Sequence, residues 1–291
     1  MQHFLEGQAR AKSAIQSEFD RIFAGLGTEP VHHAMAHAVL NGGKRLRGFL
    51  VLEGARLHDV DPARAILPAC AIEALHAYSL VHDDLPCMDD DDLRRGQPTV
   101  HIKWDEATAV LAGDALQTLA FELCADPAVG SGDVRADLCL TLARASGAQG
   151  MVYGQALDIA AETAETPLTL AQITKLQDGK TGALIQWSAE AGARLAQADV
   201  TPLSHYAKAL GLAFQIADDI LDETGDEAKA GKRLQKDAEA GKATFVSLLG
   251  LDGARTRAAD LVTQACDALS PYGNGAESLR EAARFVISRE S

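Results

Sequence analysis

Apolar residues recur along this chain at three- and four-residue spacing, the period that gathers them on one face of an α-helix. The segments ILPACAIEALHAYSLVHDD and YAKALGLAFQIADDILD show it most plainly. Short polar or Gly/Pro-bearing stretches interrupt the pattern at 58–63 (HDVDPA), 126–133 (DPAVGSGD), 162–169 (ETAETPLT) and 270–276 (SPYGNGA), and these are the expected turns. No alternation of strand length occurs, no internal repeat is present, and no break is long enough to be a linker. The pattern predicts one all-α domain over residues 1–291, with roughly ten or more helices of ordinary length.

Composition agrees with helices and narrows the function. Hydrophobic residues make up 47% of the chain and aromatics 5%; alanine and leucine, both strong helix formers, dominate over β-branched residues. A formal net charge of −14 argues against a nucleic-acid partner, which needs a basic footprint. No run of 18 or more apolar residues exists, so no membrane span is expected. The opening MQHFLEGQARAKSAI lacks the apolar core of a secretory signal. Cys70, Cys87, Cys124, Cys139 and Cys266 form an odd set without a C-x-x-C pair and read as small buried hydrophobes of a reducing compartment. The expectation is a soluble, cytoplasmic protein.

Residues 80–101, LVHDDLPCMDDDDLRRGQPTVH, crowd six aspartates between Asp83 and Asp92 and follow them with Arg94 and Arg95. Such like charges raise one another's pKa unless a cation compensates them. The run is not an EF-hand: a loop starting at Asp91 would put Leu93 and Arg95 where oxygen ligands belong, and Ile102 where a glutamate closes the loop. Phosphate-loop and dinucleotide glycine patterns are missing, and His and Cys spacings do not suggest zinc.

A second cluster, FQIADDILD, supplies Asp218, Asp219 and Asp222. A helical wheel sets Asp218 and Asp222 one turn apart on a stripe with Gly211, Phe214 and Gln215, opposite Ala213, Ile216 and Ile220. In the first cluster, Asp83 shares a stripe with Ile72, His76 and Ser79, and Pro86 should break the helix so that Asp89 can converge on Asp83. One acidic run beside two arginines is ordinarily a solvated helix end. Two such clusters on otherwise apolar helices point instead to a lined cavity. Carboxylates without His or Cys partners select hard cations, and Mg²⁺ takes one or two of them together with phosphate oxygens. The basic residues fit the same ligand: Lys44, Arg45 and Arg47 at an expected helix start, Arg94 and Arg95 after the first cluster, then Lys180, Lys232 and Lys242. The chemistry implied is metal-bridged binding of a diphosphate.

Taken together these residues resemble the trans-isoprenyl diphosphate synthases, or polyprenyl synthetases. HDDLPCMDDDDLRRGQPT is similar to the family's first aspartate-rich motif, in the form of its bacterial short-chain members, the farnesyl diphosphate synthases. FQIADDILD resembles the second, and GGKRLR, GQALDI, KTGALI and GKAT fall in the family's order between about residues 40 and 250. The resemblance implies an all-α bundle of the isoprenoid synthase type around a central cavity, a homodimer, and Mg²⁺-dependent condensation of dimethylallyl and geranyl diphosphate with isopentenyl diphosphate.

It also implies roles. Asp83 and Asp89, supported by Asp84, would hold two Mg²⁺ ions on the allylic diphosphate, and Asp218, helped by Asp222, a third. Arg94, Lys180 and Lys232 would contact that diphosphate, with Lys242 joining in substrate binding. Gly43, Lys44, Arg47, His76 and Arg95 would bind isopentenyl diphosphate, while Thr181 and Gln215 would face the reacting carbons. Tyr78, five residues before the first aspartate, would be the floor that stops growth at fifteen carbons, although the wheel places Ser79 directly below Asp83.

Departures from the family pattern are Gly48 for a proline, which should loosen the start of that helix, Gln177-Asp178-Gly179 for histidine and arginine, and Phe245 for tyrosine. Geranyl and geranylgeranyl diphosphate synthases are the competing enzymes. A non-catalytic partner subunit is expected to have lost one aspartate cluster, and both stand here.

Overall fold

The computed structural model describes residues 1–164, 166–224 and 243–288. Its first half contains α1 (Gln2–Ala24), α2 (Pro30–Leu40), α3 (Leu46–Leu57), α4 (Pro62–Asp83), the short α5 (Val100–Lys103) and α6 (Glu106–Ala125). Then come α7 (Gly132–Ser146), α8 (Met151–Glu162), α9 (Leu170–Gln177), a π-helical turn at Asp178–Gly182, α10 (Ala183–Leu195), α11 (Thr201–Thr224), α12 (Phe245–Ala268) and α13 (Glu277–Ser288). The all-α expectation holds. Among the described residues, the sole strand pairing is a hairpin of β1 (Leu93–Arg94) and β2 (Gln97–Pro98).

Helix ends fall where side chains can serve orphaned backbone groups. Asp61 accepts the Ala63 N–H beside Pro62, Asp105 that of Thr108, and Ser131 that of Val134. Thr169 with Gln172, and Thr244 with Ser247, form reciprocal caps on α9 and α12. The expected breaks lie between helices, those at 126–133 and 270–276 carrying 3₁₀ turns.

Helix α4 packs against α6 and α3, and α11 against α12. By length and mean hydropathy α4 could cross a membrane, but 72% of its most apolar window is buried inside the protein, as a core helix requires. Ile72 and Leu75 of α4 and Leu116 of α6 belong to one part of the core; Tyr206, Leu210 and Ile216 of α11 belong with Leu261 and Leu279 to the other. Each such burial contributes about 1.5–3 kcal/mol against exposure. The helices approach closely because small residues line their crossings: a Cβ on Gly192 of α10 would stand 2.1 Å from the Ala55 nitrogen of α3.

The cysteine expectation needs correction. Cys70 and Cys124 are buried, but Cys139 and Cys266 are only half-buried and Cys87 is exposed on the acidic loop. Cys87 follows Pro86 beyond the end of α4, outside the apolar period that buries Cys70.

Candidate active site

Helix α4 ends at Asp83, with the Asp84 N–H closing its last turn onto the Leu80 carbonyl. Beyond Pro86 the chain doubles back, and the Asp89 N–H donates to the Asp83 carbonyl at 2.8 Å. The two aspartates thus converge as the sequence predicts. Burial pushes the Asp83 carboxyl up to about 6; the charges of Asp89 and Asp84 add to this, while Lys180 and Arg94 oppose it. Two nearby cations therefore offset the cost of burial only in part. Asp84 is differently engaged: it is buried, and its Oδ1 accepts Arg94 Nε at 2.8 Å and Nη2 at 2.5 Å. Arg94 is therefore aimed by Asp84, with Asp91 3.5 Å away.

Lys180 and Thr181 sit on the π turn, and the reason is steric. A Cβ on Gly154 of α8 would lie 2.0 Å from the Lys180 nitrogen, and one on Gly179 would lie 2.9 Å from Gly154 Cα. Two glycines let α8 press against the turn, an irregularity often found at functional sites. One helical turn past Gly154, Asp158 accepts a 2.7 Å hydrogen bond from Lys180 Nζ. Sequence reasoning noted GQALDI but gave Asp158 no role; its i+4 spacing from Gly154 was the available signal. Gly179, a departure from the family pattern, is explained by this contact, whereas Asp178 is exposed.

On the far side of the turn, a Cβ on Gly211 of α11 would stand 3.4 Å from Gly182 Cα. Gln215, Asp218 and Asp222 continue from Gly211 along its stripe, half-buried, while Ala213 and Ile216 face the core. Asp219 has a structural task missed in the sequence: its Oδ2 accepts the Phe245 N–H at 2.7 Å, tying α11 to the start of α12. Phe245 is buried, an environment that suits a ring without a hydroxyl. Lys232 and Lys242 lie outside the described residues.

A second region is built from cations. Arg45 caps α3 in the left-handed conformation (φ 49°) and is buried; it donates to the Val39 carbonyl and, at 3.3 Å, to Glu73 of α4. The other Glu73 oxygen accepts the Gly48 N–H at 2.9 Å. This corrects the expectation for Gly48, which anchors the helix start rather than loosening it; proline could not donate this bond. Arg45 belongs to this buried pair, a partnership that needs α4 to be seen.

Arg47 lies in the first turn of α3, and its Nε is buried without a hydrogen-bond partner. Burial lowers its pKa, with Glu73 opposing and Arg95 adding. His76 is held well below the usual histidine range by burial and then by Arg47, Arg95, Arg94 and Arg45. Arg95, with φ 53°, donates from Nη1 to the Gly42 carbonyl at 2.7 Å, and its guanidinium lies over Gly43, where a Cβ would meet it at 2.7 Å. Lys44 is exposed, and its carbonyl accepts Gln8 Nε2 at 2.9 Å. Concentrated positive charge beside a neutral imidazole is a place for an anion.

Tyr78 is buried one helical turn before His82, whose ring meets it edge-on at 5.3 Å. Burial raises the phenol's pKa, Gln117 of α6 opposes this, and the charges of Asp83 and Asp114 add to it. Ser79 donates to the His76 carbonyl and is half-buried.

The donor set tests whether a hard cation fits. Asp83 and Asp89 offer oxygen alone, and their mutual repulsion is what a divalent cation relieves. Among the described residues no three His, Cys, Asp or Glu side chains form a ready-made metal cluster. That is how Mg²⁺ is ordinarily held, through a few carboxylates plus waters and substrate oxygens. The residues fit.

The polyprenyl synthetase family model matches residues 28–270. The chain is 41% identical to the farnesyl diphosphate synthase of Haemophilus influenzae, with 100% of each sequence covered. It is 46% identical to that of Escherichia coli over 89% of each. Among solved structures, an FPP/GFPP synthase from Zymomonas mobilis superposes with a TM-score of 0.86 at 44% identity, covering 97% of this chain and 99% of that one. A geranylgeranyl pyrophosphate synthetase from Pyrococcus horikoshii gives 0.89 at 32% identity, covering 99% of both.

Proposed function

Because the chain belongs to the polyprenyl synthetase family, and is by that membership a prenyltransferase, we propose that it makes farnesyl diphosphate. Dimethylallyl and then geranyl diphosphate would condense head-to-tail with isopentenyl diphosphate, releasing diphosphate at each step. The observation that carries this reading is the pairing of two unlike anion sites. One is the Asp83–Asp89 pair, its charge only partly offset by Lys180 and Arg94; the other is the cationic group of Arg47, His76 and Arg95.

Mg²⁺, when bound, supplies the positive charge that a leaving diphosphate needs; Asp83, Asp84, Asp89, Asp218 and Asp222 would hold it, as three ions. Arg94 and Lys180 are oriented by Asp84 and Asp158, so their charges are already placed where the departing diphosphate develops its own. Lys232 and Lys242 would add to that grip. Gly43, Lys44, Arg47, His76 and Arg95 would orient isopentenyl diphosphate so that its alkene attacks the allylic carbon. As the allylic C–O bond breaks, Thr181 and Gln215 turn their dipoles toward the carbocation, and the proton lost from the condensed product passes to the released diphosphate. A wall of apolar helices keeps water from that cation. The chain-length limit rests on Tyr78, buried on α4 below the aspartates, with Ser79 beside it.

We propose a single domain and a cytoplasmic homodimer. Val110 and Leu111 of α6, 42% and 57% exposed, form an apolar outer edge that a second copy would cover. The deciding experiment incubates purified protein with Mg²⁺, dimethylallyl diphosphate and isopentenyl diphosphate and measures product length. A dominant fifteen-carbon product supports the whole reading, a twenty-carbon product overturns the floor assignment, and no condensation overturns the activity.

A further inference from the structure

The β1–β2 hairpin carries both Arg94 and Arg95, yet each of its strands has two residues, too few to be stable alone. Its centre is also strained. Arg95 and Gly96 both have positive φ, 53° and 75°, the signature of a type I′ turn, which favours Asn, Asp or Gly at its first central position. An arginine held there persists only when its surroundings over-determine it.

Those surroundings are α2 and the turn that follows it. Asn41 Nδ2 donates to the Arg94 carbonyl at 3.3 Å, and the Gly42 carbonyl receives Arg95 Nη1 at 2.7 Å. His37 Nε2 lies 2.8 Å from the Pro98 carbonyl, and its Nδ1 lies 3.2 Å from Lys103 Nζ. Lysine can only donate to Nδ1 and a carbonyl can only accept from Nε2, so these two contacts fix the tautomer with the proton on Nε2. The ring stands edge-on to Trp104 at 5.4 Å. Both ring nitrogens of His37 are thus used to hold the exit of the hairpin against α2.

We propose that His37 is a positioning residue for both diphosphate sites, latching the hairpin so that Arg94 and Arg95 are held ready for anions they contact and His37 does not. This rests on the diphosphate reading for its kinetic consequence but not for its geometry. The experiment compares wild type with His37→Leu and His37→Gln, since glutamine can also donate to the Pro98 carbonyl. Three quantities are read: KM and kcat for each diphosphate, trypsin cleavage after Arg94 and Arg95, and thermal stability.

His37→Leu should raise KM for isopentenyl and allylic diphosphates about tenfold, the scale of one lost hydrogen bond, with kcat within about threefold. Trypsin should cut the hairpin about tenfold faster in that variant, and His37→Gln should return both readings toward wild type. Unchanged KM and unchanged cleavage in His37→Leu would overturn the latch, as would failure of the glutamine variant to rescue while its melting temperature matches wild type. Wild type that makes no prenyl product would sink the activity instead, and the cleavage pattern would still judge the hairpin.

Discussion

Replacing Asp83 by asparagine should stabilise the substrate-free protein while disabling it. Asp83 carries a carboxyl raised from 3.8 to about 6, chiefly by burial. Because the folded value lies above the unfolded one, the folded protein binds more protons than the unfolded chain between about pH 4 and 6. Stability therefore falls as pH climbs through that window, and the deficit persists above it. At 1.36 kcal/mol per unit the ceiling is about 3 kcal/mol, and partial exposure of the side chain cuts this to about 1–2 kcal/mol. Asparagine keeps the shape and removes the charge. In chelator at pH 7.5, urea denaturation should show Asp83→Asn more stable by that amount, and the two proteins should coincide near pH 4. Adding Mg²⁺ with inorganic diphosphate should raise the melting temperature of wild type alone, and turnover of the variant should drop by several orders of magnitude. A variant less stable than wild type at pH 7.5, or a difference that ignores pH, would refute the account of a half-buried carboxylate whose desolvation is only partly offset.

Glu73→Ala strands the buried Arg45 and the Gly48 N–H together, and urea midpoints should show a loss of about 3–5 kcal/mol. Gly48→Ala would drive a Cβ to 2.3 Å from Ile15 Cδ1, costing about 1–3 kcal/mol, and Ile15→Val in the same chain should recover part of it. Tyr78→Ala removes the proposed floor, so mass spectrometry of the products should show a shift from fifteen to twenty or more carbons. Leu111→Glu should shift sedimentation from dimer to monomer if the outer edge of α6 is the subunit interface.

The helices were legible because their signals are local: apolar spacing and Pro and Gly breaks. The convergence of Asp83 and Asp89 was legible for the same reason, since Pro86 lies between them. What escaped depends on contacts between distant segments. Asp158 acquires its role from Lys180, 22 residues away, and Asp219 from Phe245, 26 residues away. Gly48 was misread because its worth lies in an N–H aimed at Glu73 and in the approach of Ile15 from α1. The hairpin was invisible to periodicity, being two residues a side.

The two anion sites are prepared in opposite ways. In the cationic one, Arg45 and Arg95 occupy left-handed backbone at φ 49° and 53°, at a cost of about 1–3 kcal/mol each. Hydrogen bonds to Glu73, Val39 and Gly42 hold them there. Strain is thus spent in placing positive charge before any ligand arrives, and His76 stays neutral among those charges. In the acidic site the unspent term is chiefly desolvation: burial holds the Asp83 carboxyl up, Asp89 adds to this, and Lys180 and Arg94 offset it only in part. On the proposed reading, a bare diphosphate suits the arginine side and a metal-bridged one the aspartate side. This difference in stored energy lets one chain assign two chemically similar diphosphates to opposite partners in a single reaction.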